Sequence, residues 1–426
     1  MTHIMFVFFI LDLLQYSNPQ IDKTLGYGPR AELKYQMTKL DYDWPEEKIR
    51  QDFINNNSYI AINNIISGIK VWRRKIFVTV PRWRPGVPSS LNRLVSLYGR
   101  GQSAPHLTPF PSWEANIIGE CSALQYIQSM EIDPNTNYMW VIDTGRLDIF
   151  TENPRNLCPA KLVIYDLQTE QEVDRYVFPN NVVSGSSNFL NDIVLDYVNG
   201  SVAYAYMTDT YDSKLIVFDY VNRESYFISH ASMLAEEEGR SLTINGLTTK
   251  ISSNINGIAM ASNFQYVYFT SVASFNTYQV PTSLLRNKSS NAQDIDASLR
   301  NIGRRKSQTA GLAYSSKDKM YFASLTTNAV FEWDARLDAI SAGGFGYATL
   351  QSVRQVARND TKMVFVDTFC IDENGDLWFT ANRLHEYLLN AIDISWRNGT
   401  NFHIWRYTLQ PGEKNYLHNA NRRTRL

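Results

Sequence analysis

Cysteine, histidine, net charge and long apolar runs are all scarce in this chain, and each scarcity excludes something. Three cysteines in 426 residues form no CxxC pair, which removes dithiol redox chemistry and zinc ribbons. The six histidines (His3, His106, His230, His385, His403, His418) show no pair at metal-ligand spacing. His385-Glu386 lacks the second histidine that a zinc-protease helix needs four residues after the first. There is no GxSxG elbow and no Walker loop. Residues 372–376 (DENGD) miss the spacing and terminal Glu of a calcium loop and read as a hairpin turn. Residues 343–347 (GGFGY) lead into no helix start and read as a loop rather than a phosphate cradle. No metal site, cofactor or catalytic residue is assigned. With 41 basic and 42 acidic residues, the charge balance points away from nucleic acid and from acidic membrane surfaces. The tail Arg422-Arg423-Thr424-Arg425 is too short to change that and reads as a solvated end.

No stretch approaches the roughly 18 apolar residues of a membrane span. Residues 4–14 (IMFVFFILDLL), an apolar run of 11 interrupted by Asp12, have the length of a signal-peptide core, although Met1-Thr2-His3 lacks the usual basic lead-in. We expect a signal peptide over residues 1–20, one domain over 21–410, a polar basic tail over 411–426, and secretion to the extracellular space. Five N-x-[ST] sequons at Asn56, Asn199, Asn287, Asn359 and Asn398 agree with that route. Cys121 and Cys158 lie 37 residues apart within one repeat unit. A disulfide there could staple the unit, contributing roughly 3–4 kcal/mol through the unfolded chain. Cys370 reads as a buried free thiol.

What is plentiful is aromatic side chains, including 25 tyrosines, and short strands. Residues 189–219 (FLNDIVLDYVNGSVAYAYMTDTYDSKLIVFD) read as three consecutive strands with Gly200 and Asp212-Ser213 in the turns. The plan of strand, polar turn and apolar strand recurs at 66–71 with 75–80, 121–133 with 138–143, 255–260 with 266–271, 308–314 with 320–325, and 366–372 with 377–382. If Phe77, Trp140, Ala205, Tyr268, Phe322 and Phe379 are equivalent, the steps are 63, 65, 63, 54 and 57 residues, each long enough for four strands. Six such sheets set radially cover one another's faces, so the expected fold is all-β, a six-bladed β-propeller of four-stranded antiparallel blades. The alternative is a pair of β-sandwiches, which does not require six similar hairpins at even spacing. Two insertions, 232–250 (helix-like, then loop) and 286–306 (polar and charged), read as surface excursions.

In a propeller, the start of each innermost strand meets the end of the second strand on one face of the axis. Those positions supply Asn191 and Asp192 with Asp209, Asn256 with Ser271, Thr309 with Thr326 and Asn328, and Asp367 and Thr368 with Asn382. Phe275, Tyr278, Phe331 and Phe345 are expected nearby. Such a ring could bind a small cationic aromatic molecule, or its members could satisfy one another and ordered water.

The loop at 78–92 (VTVPRWRPGVPSSLN), MWVIDTGR at 139–146, CPAKLVIYDL at 158–167, FLNDIVLD at 189–196, NGIAMA at 256–261, SQTAGLAY at 307–314 and NGDLWFTANRL at 374–384 together closely resemble the Yellow and major royal jelly protein family. The resemblance covers roughly residues 25–408 and implies a six-bladed propeller, secretion and a Cys121–Cys158 disulfide. Members often carry a second cysteine pair, but the corresponding stretches here, VNGSVAYAY at 198–206 and TNAVFEW at 327–333, hold no cysteine, so one disulfide is expected. Relatives from blood-feeding insects bind serotonin, dopamine and similar amines in the central channel, which implies such a role for Thr309 and Asn328. Others act in melanin formation, some converting dopachrome, and royal jelly members are food and structural proteins. The reading is therefore a secreted protein that binds small aromatic amines through Thr309, Asn328, Asn191, Asp192, Asp209, Asn256, Asp367 and Thr368, in connection with pigmentation or cuticle. One rival is a dopachrome-converting isomerase or tautomerase using Asp192, Asp209 or Asp367. Another is a structural or signalling protein with an empty channel and an extracellular partner such as cuticle.

Overall fold

The computed structural model describes residues 31–95, 104–397 and 399–419; the signal-peptide expectation, Asn398 and the last basic residues lie outside them. Six four-stranded antiparallel sheets are arranged as a six-bladed β-propeller. Blade 1 is Ile69–Trp72, Lys75–Thr79, Leu91–Val95 and His106–Pro109. Blade 2 is Ile127–Asp133, Tyr138–Asp143, Lys161–Asp166 and Gln171–Val177, and blade 3 is Leu190–Val198, Ser201–Asp209, Lys214–Asp219 and Glu224–Ile228. Blade 4 is Ile255–Met260, Tyr266–Ser271, Asn276–Pro281 and Arg300–Arg304. Leu312–Tyr314, Lys319–Ser324, Ala329–Asp334 and Val353–Arg358 form blade 5. In blade 6 the strands Val366–Ile371, Asp376–Ala381 and Phe402–Thr408 are completed by Ala31–Met37, paired from Ala31↔Tyr407 to Met37↔Phe402. An early strand thus closes the ring with late ones.

The second strand of each blade is covered on both faces by neighbouring blades, which is why these strands read as near-continuous apolar runs. Phe77, Trp140, Ala205, Tyr268, Phe322 and Phe379, the residues that set the repeat, are all buried. The outermost strands are far more exposed, and Gln171–Val177 has no fully buried residue. Blade-to-blade bonds follow a repeated rule in which a threonine of the second strand donates to the next blade's innermost backbone. Thr79 Oγ1 reaches Gln128 O at 2.8 Å, Thr208 Oγ1 reaches Asn256 O at 2.7 Å, and Thr380 Oγ1 reaches Ser67 O at 3.1 Å.

Several boundaries differ from the sequence reading. The first strand of blade 2 begins at Ile127, because residues 121–123 form a turn whose backbone carbonyls accept from Lys161 Nζ. Cys121 in that turn is joined to Cys158, with Cα atoms 5.4 Å apart, and Cys370 is free and buried. The insertion at 232–250 ends in a hairpin, Ser241–Ile244 with Leu247–Lys250, rather than a loop. The insertion at 286–306 contains a helix, Ala292–Ser298, capped by Asn291, and then supplies blade 4's outer strand. Residues 411–419 pack on the propeller. Tyr416 and Leu417 are buried, and Leu195 N donates to Tyr416 Oη at 2.9 Å. Asn56, Asn199 and Asn287 are exposed, and Asn359 is half-buried. No helix among the described residues is long and apolar enough to cross a membrane.

Candidate functional site: the axial cavity

Each innermost strand starts with the same local motif, two residues followed by a buried apolar one: Ser67-Gly68-Ile69, Gln128-Ser129-Met130, Asn191-Asp192-Ile193, Asn256-Gly257-Ile258, Ala310-Gly311-Leu312 and Asp367-Thr368-Phe369. In blades 2, 3, 4 and 6 the ladder slips across that pair, between Ile127/Met130, Leu190/Ile193, Ile255/Ile258 and Val366/Phe369. These are bulges, which free two side chains from strict alternation and re-aim them. Close approach of neighbouring strands demands glycine at two of the positions. A Cβ on Gly257 would stand 2.2 Å from Ala310 O, and one on Gly311 2.6 Å from Asp367 O.

The motifs converge on a cavity of about 270 Å³ on one face of the propeller axis, which includes Asn191, Asp192, Asn256, Asp367 and Thr368 in its lining. Trp83, Phe150, Phe189, Tyr211 and Phe365 form its aromatic wall. Trp83 stacks on Phe150 with centroids 5.2 Å apart, Phe150 meets Phe189 at 6.2 Å, and Phe189 meets Tyr211 edge-on at 5.1 Å. Lys250 and Ile251, at the end of the 241–250 hairpin, and Leu384 and Leu388 of the helix Leu384–Leu388 complete the lining.

Two carboxylates work against burial in this cavity. Asp367 Oδ2 accepts from Asn382 Nδ2 at 2.6 Å and from Ser67 Oγ at 3.2 Å. Ser67 Oγ in turn accepts from Gln128 Nε2 at 2.9 Å, and Gln128 Oε1 accepts from Tyr126 Oη at 2.9 Å. Burial pushes the Asp367 carboxyl up to about 7, against those two donors and with help from the charge of Asp192. Asp192 Oδ1 accepts from Ser129 Oγ at 2.9 Å and from its neighbour Ile193 N at 3.0 Å. Burial raises Asp192 to about 6, partly offset by Lys70 and these donors. Carboxyl groups shifted towards neutrality in a cleft are equipped for proton transfer or for holding a cation. Among the described residues no three His, Cys, Asp or Glu side chains are grouped to hold a metal ion.

Three expected site residues lie outside the lining. Asp209 caps blade 3, its Oδ1 accepting from Phe189 N at 2.8 Å; burial raises it to about 6. Thr309 precedes the Ala310-Gly311 pair, and its buried Oγ1 accepts from Ala323 N at 3.0 Å. A one-residue offset on a strand reverses the face a side chain presents, which is why Thr309 stands in the blade and not in the cavity. Asn328 adopts the left-handed conformation and donates through Nδ2 to Asn245 Oδ1 at 2.7 Å, fastening the 241–250 hairpin. The expected aromatic neighbours are also elsewhere. Tyr278 stacks on Phe269 within blade 4, Phe275 lies under Arg304, and the Phe345 carbonyl accepts from Gln279. Phe331 lines a separate groove with Arg305 and Phe322. All four belong to third strands or outer loops, too far out along the blade radius. Ser67, Gln128, Ser129 and the whole aromatic wall were missed. The two-residues-plus-apolar motif, aligned across all six blades, would have found the first three.

The family model "Major royal jelly protein" matches residues 127–417. The protein yellow of Drosophila erecta is 27% identical over 384 residues, covering 87% of this chain and 68% of that protein. The dopaminechrome tautomerase of Drosophila melanogaster is 26% identical over 401 residues, covering 91% of this chain and 84% of that protein.

Proposed function

The chain belongs to the major royal jelly protein family, and from that premise we propose that its axial cavity binds a small aromatic amine of the catecholamine or indoleamine type, in a secreted protein linked to pigmentation or cuticle. The observation that carries this reading is the juxtaposition of an aromatic wall, Trp83 to Tyr211, with the carboxyl groups of Asp192 and Asp367 in one cavity. A ring buries its faces against the wall, and an ammonium finds a carboxylate already desolvated. At about 270 Å³ the cavity falls just below the range typical of drug-sized ligands, which favours a one- or two-ring molecule. Relatives named for yellow and for dopaminechrome tautomerase agree with a pigment-pathway context.

A second reading has its own observation. Two carboxyl groups raised to about 6 and about 7 by burial would serve as base and acid for tautomerising an aminochrome, the class of reaction for which one relative, the dopaminechrome tautomerase, is named. Isothermal titration calorimetry against dopamine and serotonin tests binding, and loss of dopaminechrome absorbance tests turnover. One-to-one binding abolished by Asp192→Ala supports the first reading; heatless titrations with every amine overturn it. Saturable, enzyme-dependent turnover lost in Asp367→Asn supports the second.

A further inference from the structure

We infer that the two cavity carboxyl groups have unequal, pre-set roles, with Asp367 carrying the proton and Asp192 the negative charge, and that Lys70 is the positioning residue that maintains this division. The inference rests on the reading that the axial cavity is the working site, and it adds which group does what and why.

The first ground is position. Asp192 lines both the upper cavity and a neck of about 20 Å³ beneath it, and Lys70 and Glu131 line that neck from blades 1 and 2. Lys70 Nζ is held 2.9 Å from Glu131 Oε2, and both side chains are largely buried. Glu131 Oε1 accepts from Ile132 N, so that carboxylate is anchored by the backbone. Burial alone would lower the Lys70 ammonium. The charges of Glu131, first, and Asp192 act against that, and the ammonium stays above its ordinary value. A fixed cation therefore stands on the neck side of Asp192.

The second ground is contrast. Asp367, in blade 6, receives only neutral donors, Asn382 Nδ2 and Ser67 Oγ, and both converge on Oδ2, leaving Oδ1 outside that network. Blades 3 and 6 are three steps apart in a ring of six, so the two carboxyl groups approach the axis from opposite sides. Each disfavours ionisation of the other, and the one without a cation takes the proton first. The other ionisable groups facing the pair do not alter this. Lys250 and Tyr211 stand in the exposed part of the lining, and burial pushes Cys370 and Tyr416 in the neck up, so both stay neutral.

For a bound amine, this division pairs its ammonium with Asp192 and offers the Asp367 proton to a ring oxygen. For a tautomerisation, Asp192 takes a proton from a substrate C–H. The freed electron pair moves into the conjugated ring system, and Asp367 delivers its proton to a substrate oxygen or nitrogen. One proton leaves the substrate, one arrives, and no oxidant is needed. The pair ends inverted, with Asp192 protonated and Asp367 anionic. Transfer of one proton from Asp192 back to Asp367 through solvent water in the cavity that both line restores it.

Infrared titration of buried protonated carboxyl groups in the ligand-free protein tests the division independently of any amine. The expected result is a band that titrates near neutral pH, disappears in Asp367→Asn and persists in Asp192→Asn. In Lys70→Met/Glu131→Gln, which removes both charges so that neither is left buried alone, the Asp192 transition should rise by about one pH unit or more. Lys70→Arg should restore the wild-type value, a rescue that a packing role alone would not give. A band lost in Asp192→Asn but kept in Asp367→Asn overturns the inference, as does an unmoved Asp192 transition in a double variant shown to be folded by circular dichroism. If the division holds while dopamine neither binds nor inhibits, the proposed ligand fails and the division stands.

Discussion

Two buried lysine–carboxylate pairs, one within blade 2 and one joining blades 1 and 2, do different things. In blade 2, Lys161 Nζ is 3.0 Å from Asp143 Oδ2, with both side chains almost fully buried. Asp143 also accepts from Gln125 N, Tyr126 N and Gly145 N, and Lys161 spends its other hydrogens on Cys121 O and Ala123 O. Every charge there is answered, and the result is a bracket that holds the disulfide turn and the start of the innermost strand. At the axis, Lys70 has one close carboxylate in Glu131, while the carboxyl groups of Asp192 and Asp367 accept from neutral donors. The difference teaches that a saturated buried charge network is structure, whereas an under-answered one retains protons it can exchange.

The largest expected effect breaks the structural side. Asp143→Ala leaves the Lys161 ammonium buried without its partner and should cost about 3–5 kcal/mol, read by urea denaturation. A loss under about 1 kcal/mol would mean that the bracket is dispensable. Next comes acid. Burial, reinforced by Arg383, lowers His385 to about 4, and burial with Arg383 and Lys362 lowers His403 to about 3. Both belong to the closing blade 6, in the helix Leu384–Leu388 and the strand Phe402–Thr408. Their folded-state values lie below the unfolded value of roughly 6.5, so the unfolded chain binds the protons. Stability is intact above about 6.5 and falls as pH drops towards 4 and 3, by on the order of 2 kcal/mol for each histidine at pH 5. The Tm of His403→Gln should fall less between pH 7 and pH 5 than that of the wild type.

The smallest effect sharpens the functional side and has the opposite sign. Asp367 titrates higher in the folded protein than in the unfolded chain, so its contribution to stability is present at low pH and lost as pH rises through about 7. Asp367→Asn removes the cost of a buried charge and should raise stability at pH 8 by about 1 kcal/mol while abolishing function in the cavity. A variant that is both less stable and fully functional would place Asp367 with the structural acids.

Most of the fold was legible because it follows from repetition. Six apolar second strands at similar spacing have few ways to bury both faces, and Phe77, Trp140, Ala205, Tyr268, Phe322 and Phe379 are all buried as that logic requires. The cavity was half legible. Asn191, Asp192, Asn256, Asp367 and Thr368 were placed by the repeat, because a start-of-strand position is set by sequence alone. Thr309 was misplaced by a single residue, enough to turn it from the axis into the ladder. The aromatic wall draws on connecting segments as well as strands: Trp83 comes from the loop after blade 1's second strand, Phe150 from the excursion within blade 2, and Tyr211 from the turn in blade 3.

By itself, then, the sequence determined the blade count and the identity of most polar groups at the axis, since these depend on local alternation and turn chemistry. Only the tertiary structure decided that Ala31–Met37 would close blade 6 and that Trp83, Phe150, Phe189 and Tyr211 would form one wall. It also decided that Lys70 would stand behind Asp192 and not behind Asp367. Each of these joins residues tens to hundreds of positions apart, where burial and the long-range field of a charge determine the outcome and local pattern carries no record of either.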